Sequence, residues 1–492
     1  MRLPRTAGPD RKDGLDGPAR RDDLTGPARR DDLTGPARPG RSASARTTAV
    51  ATTALFALSL GVLPAQAATA RPGAATSATT SSADRQHRPG LDRAALRGSL
   101  DAFRDAGMYG AYSAVRDGSQ RWRGATGVAD PATGRPMAPG FEHRIGSITK
   151  TFTAVAVLKE VERGRIDLDA PVGRYLPDLV DGERGAKVTV RMLLNHTSGI
   201  PDYIVPAFPG ILQDPGKALD AQRFRRVDPR ELARLGLAAP PVVERGTWSY
   251  SNTNYVLAGL ILERVTGENA ERYITRQVIR KAGLRHTYFP STAAVKGPHA
   301  GMYESFYGYI DPPRDYSTYD MSWAGTAGAM VSTMDDLNTF YRALLGGKLL
   351  SPASLRAMKT TVPTAEPVPG VPESMRYGLG LYTLRMPSGN WAWGHDGGVF
   401  GAGTWSLASE DGRRQVSIGY NLMKYQRFDE ASGQWLPDPI TEALVAHVDG
   451  ALAGAAKAPA PAAPSAPAAR GTAPARATVP QPLDARVPGF RP

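Results

Sequence analysis

The 492-residue chain contains no cysteine. That absence excludes disulfides, a lipid anchor on cysteine and thiolate zinc sites. It does not argue against export, because a chain of this length can bury a core that is stable without staples. The seven histidines show no ligand spacing such as His-x-x-x-His, so no metal and no other cofactor is expected. A clustered basic patch is also missing. The formal net charge is +13, but residues 1–46 and 453–492 carry +4 each, leaving +5 for everything between. The excess therefore sits largely in the flanks and is not a nucleic-acid footprint. It leaves room for a weak attraction to anionic cell-wall polymers.

Hydrophobic residues make up 41% of the chain and charged residues 22%, as in an ordinary globular protein. Residues 17–38 repeat Gly-Pro-Ala-Arg-Arg-Asp-Asp-Leu-Thr, a unit with almost no apolar face, which suits a disordered segment. Arg41 and Arg46 then precede an apolar run over 49–63, followed by Ala65-Gln66-Ala67. This pattern predicts a secretory signal cleaved after Ala67, hence a secreted protein. The rival, an uncleaved anchor, would need a longer span. Residues 1–67 are thus expected to be a disordered leader with a signal peptide. Residues 68–89, rich in Thr, Ser and Ala, are expected to be a flexible linker, and 453–492, rich in Ala and Pro, a disordered tail without an apolar anchor.

Between them, residues 90–452 read as one domain. An amphipathic helix is expected over 91–106, and a hairpin over 112–128 turning at Asp117-Gly118. Residues 147–345 carry mostly helical patterning. Strands are expected over 404–409 and 415–422, and a last helix over 440–447. Strands and helices at both ends, with helices between, predict a subdomain assembled from both termini with a helical insertion.

Ser147 is the only serine followed by lysine three positions on, and an apolar helical run over 151–161 comes directly after it. At the start of a helix, Lys150 would share a face with Ser147 at the positive end of the dipole. That position would lower the lysine pKa and make it a base for a serine nucleophile. The rival reading is a capping serine with a solvated lysine. Tyr250-Ser251-Asn252 is the only Tyr-x-Asn. Its phenol could shuttle a proton and its amide could hold a substrate amide, or the pair could be a structural tyrosine and a turn. His395-Asp396-Gly397-Gly398 forms a glycine-rich strand edge that permits close backbone approach. Its N–H groups could complete an oxyanion hole with that of Ser147. His299-Ala300-Gly301 lies in a Pro/Gly-rich connection and reads as incidental. His196 reads as a turn and packing residue, and the tryptophans as core or cleft wall.

Ser-x-x-Lys, Tyr-x-Asn and His-x-Gly, in that order, resemble the three motifs of secreted serine D-alanyl-D-alanine carboxypeptidases. Class C β-lactamases are relatives with Lys-Thr-Gly as the third motif. The class A pattern with Ser-Asp-Asn is not met. Leu193-Leu194-Asn195-His196-Thr197-Ser198-Gly199-Ile200-Pro201 is similar to the family's internal signature, and the segments over 250–267 and 327–337 resemble family phrases too. The resemblance implies an α/β (α+β) β-lactamase/transpeptidase-like fold: an antiparallel sheet flanked by helices plus an inserted, mainly helical subdomain. It implies Ser147 as the acylated nucleophile, with Lys150 and Tyr250 sharing base and acid work. Asn252, His395 and Gly397 would bind substrate, His395 replacing the basic group of Lys-Thr-Gly. The backbone N–H groups of Ser147 and Gly398 would form the oxyanion hole. Gly398 departs from the serine or threonine often found there, which removes a hydroxyl contact to a substrate carboxylate.

The reaction expected first is D-alanyl-D-alanine carboxypeptidase action on peptidoglycan stem peptides by a monomer. The alternatives are a β-lactamase or broad esterase on the same scaffold, and a silent wall- or penicillin-binding protein. The partners would be a D-Ala-D-Ala-terminated peptide, a β-lactam or an ester, with no nucleic acid.

Overall fold

The computed structural model describes residues 90–365, 374–429 and 432–453. The expected leader, signal peptide and linker lie outside the described residues, as does the tail beyond Ala453.

Helix α1, Arg93–Asp105, opens at Asp92, whose carboxylate accepts the N–H of Ala95 at 2.9 Å. Leu96, Leu100 and Phe103 form its buried stripe. The chain then forms the hairpin β1, Gly110–Asp117, and β2, Gln120–Asp130. Gly118 turns it with φ +59°, a conformation that favours glycine. A short strand, β3, covers Arg135–Pro136. The remaining sheet strands come from the C-terminal third. They are β4 Val362–Pro363, β5 Met375–Tyr377, β6 Tyr382–Arg385, β7 Trp391–Val399, β8 Ala402–Ser409 and β9 Arg414–Tyr420. All nine join one antiparallel sheet in the order β3-β2-β1-β9-β8-β7-β6-β5-β4. The N-terminal hairpin thus docks on the C-terminal strands, with Ala111 opposite Tyr420 and Asp117 opposite Arg414.

Side chains alternate across the sheet. Ala111 and Val115 join a core with α1 and the last helix, α5 (Pro439–Ala453), while Tyr112 and Ala114 join the larger core on the other face. His447 of α5 reaches Ser99 of α1 at 2.8 Å and Ser113 of β1 at 2.9 Å, tying the outer layer together. The inner face packs α2 (Thr149–Glu162), α3 (Asn252–Thr266) and α4 (Met334–Leu345). Helices α2 and α3 are buried nearly all round, which explains their near-continuous apolar runs. Thr326 ties α2 to α3: its carbonyl accepts from Thr153 at 2.8 Å and its hydroxyl donates to the Tyr255 carbonyl at 2.8 Å. The mixed α/β architecture is the one expected, with one sheet built from both ends of the domain and a helical region between them.

Candidate active site

Ser147 does not lie inside a helix. It occupies a 3₁₀ turn, Gly146–Ile148, that leads directly into α2. The i,i+3 relation survives, since residues three apart eclipse in such a turn. Gly146 has φ +50°, and a Cβ there would lie 2.6 Å from the Gly398 nitrogen. A Cβ on Gly397 would lie 2.0 Å from the Ile145 carbonyl oxygen and 2.9 Å from the Ser147 nitrogen. Both glycines are therefore required by the contact between the serine turn and β7. Ser147, Tyr250, Asn252 and Gly398 line one cavity, together with Ile204, Trp323 and Phe400.

Lys150 is fully buried. Its Nζ is 3.0 Å from Ser147 Oγ, 2.7 Å from Asn252 Oδ1 and 2.8 Å from the Ala327 carbonyl. Burial lowers its pKa from 10.5 to about 7, against the opposing pull of Asp202 and Asp396. The Tyr250 ring centroid lies 4.8 Å from the same amine. Burial raises the Tyr250 phenol well above its usual range, and a hydrogen bond with Ser147 works the other way. Near pH 7 the phenol therefore keeps its proton while the amine can lose one. A neutral Lys150 would give its two N–H groups to Asn252 and Ala327 and turn its lone pair to Ser147 Oγ.

Two residues outside the expected site set organise this cluster. Asp202 Oδ2 accepts the Asn252 backbone N–H at 2.9 Å and its side-chain amide at 2.7 Å, which points the Asn252 Oδ1 at Lys150. Its place directly after Ile200-Pro201 was the available signal. His196 does more than fill a turn. It adopts φ +61°, its carbonyl accepts from Ser249 N at 2.8 Å, and its Nδ1 accepts from Ser251 N at 3.2 Å. Its ring lies 4.3 Å from that of Tyr250, so it braces the Tyr250-Ser251-Asn252 turn from beneath.

His395 departs from expectation. Its side chain is only 2% exposed, and both ring nitrogens are engaged within the protein. Nδ1 donates to the Asp396 carbonyl, and Nε2 is 2.8 Å from the Tyr377 hydroxyl. Burial lowers its pKa to about 3, so the imidazole is neutral. Both ring nitrogens turn into the protein, and the side chain does not line the cavity. Gly397 likewise provides close approach and not a wall of the cavity. The basic side chain that does line the cavity is Lys424, and it forms an ion pair with buried Glu304 at 2.9 Å. His299 Nδ1 turns to the Gly297 carbonyl at 2.8 Å and does not line the cavity.

A family model described as Beta-lactamase matches residues 93–424. Among solved structures, a D-stereospecific amidohydrolase from Streptomyces sp. superposes with a TM-score of 0.62 at 38% identity, covering 68% of this chain and 95% of that one. A D-amino acid amidase from Ochrobactrum anthropi SV3 gives 0.60 at 27% identity, covering 73% and 97%. The esterase EstB of Burkholderia gladioli is 36% identical over 212 residues, which is 41% of this chain and 53% of the esterase. The chain thus spans about half the length of that curated relative.

Proposed function

Because the chain belongs to the beta-lactamase family of serine hydrolases, we propose that it transfers acyl groups through Ser147 and acts on neutral amides and esters of D-configured residues. One observation carries the proposal: a buried lysine with a pKa near 7 whose Nζ lies 3.0 Å from the serine hydroxyl. In this reading neutral Lys150 takes the Ser147 proton as Oγ attacks the substrate carbonyl. The N–H groups of Ser147 and Gly398 hold the oxyanion. The C–N or C–O bond then breaks, and the leaving group collects a proton through the Tyr250 phenol, which Lys150 restores. Water repeats the sequence on the acyl-enzyme, releasing the acid and freeing Ser147.

The choice of neutral substrates rests on charge. A carboxylate-terminated peptide needs a cation to receive it. His395 is buried and neutral, Lys424 is already paired with Glu304, and Gly398 has no hydroxyl. The D-stereospecific amidohydrolase and the D-amino acid amidase support the amide and the configuration, and the esterase supports the ester. The narrower reading, release of a terminal D-Ala from peptidoglycan stems, is favoured by the order of the three motifs. The segment ending at Ala67 supports action outside the cell.

A side-by-side assay separates these readings. It compares an N-acyl D-amino acid amide, an acyl-D-Ala-D-Ala peptide, a short nitrophenyl ester and nitrocefin. The amide and the ester should turn over fastest, and Ser147→Ala should lose about 10⁴-fold or more. Turnover confined to the carboxylate-terminated peptide would establish the carboxypeptidase instead. Covalent labelling by a fluorescent penicillin that survives Ser147→Ala would sink the nucleophile assignment.

A further inference from the structure

The Ser147 cavity extends beyond the catalytic cluster. Its far wall carries Tyr307, Phe400, Lys424 and Gln426. The backbone there is strained. Phe306, Tyr307 and Lys424 have φ of +45°, +64° and +46°, the left-handed region that residues with a Cβ avoid. Such strain persists where the surroundings enforce it, and it gathers at ligand sites. The enforcing group is Glu304, which is fully buried. Its carboxylate accepts from Phe306 N at 2.9 Å, from Gly401 N at 3.1 Å and from Lys424 Nζ at 2.9 Å. Tyr307 N in turn donates to the Lys424 carbonyl at 2.6 Å.

Held this way, Tyr307 connects the cavity to an aromatic strip. Its ring meets Trp435 edge-on at 5.2 Å, and Trp435 meets Phe428 at 5.3 Å. Gln426 Nε2 donates to the Leu436 carbonyl at 3.0 Å, and Leu436 N to the Arg427 carbonyl at 2.9 Å, which fixes the strip beside the cavity. Trp435 is 42% exposed and Leu436 43%. They are two of the six exposed large hydrophobic residues among those described. Apolar surface gathered at the rim of a site marks a contact surface, and at its inner end Glu304 answers the charge of Lys424.

We propose that Tyr307 and Trp435 form a second subsite, which takes the aromatic side chain of a residue adjoining the one whose carbonyl Ser147 attacks. This rests on the acyl-transfer reading above. The test uses Ser147→Ala protein and isothermal titration with three uncharged peptides: N-acetyl-D-Ala-D-Ala amide and the two versions with D-Phe at either position. One D-Phe peptide should bind about five- to tenfold tighter than the all-alanine peptide. That ratio should fall below about twofold in Trp435→Ala and in Tyr307→Asn, asparagine being chosen because it tolerates the left-handed backbone. No gain from D-Phe at either position, or a gain that survives both substitutions, overturns the subsite. Turnover of the nitrophenyl ester by the unmodified protein, lost in Ser147→Ala, keeps the two claims apart. Turnover without an aromatic preference sinks the subsite alone, and an aromatic preference without turnover of ester or amide sinks the acyl-transfer reading alone.

Discussion

Two lysines flank Ser147's cavity differently: Lys424 lines it, and Lys150 lies buried behind the serine, and the two are held in opposite ways. On the helical side, Lys150 touches an amide oxygen, a peptide carbonyl and a hydroxyl, all neutral. On the strand side, Lys424 meets the carboxylate of Glu304. Burial among neutral acceptors disfavours the ammonium, so Lys150 can exchange a proton near pH 7. Pairing with Glu304 instead leaves the Lys424 charge already answered within the protein. The comparison teaches that the site separates proton chemistry from charge recognition. One wall moves protons, while on the other the lysine charge is answered within the protein.

The first way to break this comparison is to remove the proton carrier. Lys150→Met should lower kcat/KM for the amide by roughly 10³-fold, in line with the loss of a general base. In the unmodified protein, kcat/KM should rise with pH through a midpoint near 7 as Lys150 loses its proton, and the variant should lose that limb. A pH profile that is unchanged in shape after the substitution would remove Lys150 from the role of base.

A smaller effect is expected from Asp202→Asn. The Asn252 amide loses its charged acceptor, a change expected to cost on the order of ten- to a hundredfold in kcat. Asp202 also raises the Lys150 pKa, so its removal should move the pH midpoint to lower values. A midpoint that moves upward would contradict the electrostatic part of this account. The smallest effect belongs to the strand side. Glu304→Gln leaves Lys424 uncompensated, so the rate ratio of carboxylate-terminated to neutral substrates should rise by about two- to fivefold. An unchanged ratio in a variant of normal melting behaviour would mean that Lys424 does not face substrate.

What the sequence made legible follows the same division. Ser147, Lys150, Tyr250 and Asn252 could be read because each stands at the entrance to a helix with a strong apolar pattern, observed as Thr149–Glu162 and Asn252–Thr266. The N-terminal hairpin could be read from Asp117-Gly118, and the later strands from their alternation. His395 could not be placed, because β7 is buried along most of its length and alternation does not say which way an imidazole turns. Asp202 and Glu304 act across long separations: Asp202 meets Asn252 fifty residues later, and Glu304 meets Lys424 at |i−j| = 120. No local pattern encodes such pairings. The expected boundaries also differed slightly, with the last helix running on to Ala453 because its Leu444, Val448 and Ala451 continue to bury against the outer face.

The register of β1 against β9 has a consequence for how the molecule comes into being. Ala111 must wait for Tyr420, and Asp117 for Arg414. Until that late segment has been synthesised, the hairpin presents an unpaired edge, and Ser147 has no β7 against which to set its turn. Pairings this distant in the chain make folding slow and leave the nascent form open to association. Hydrolytic competence would then be the last property the polypeptide acquires, arriving only with its final strands.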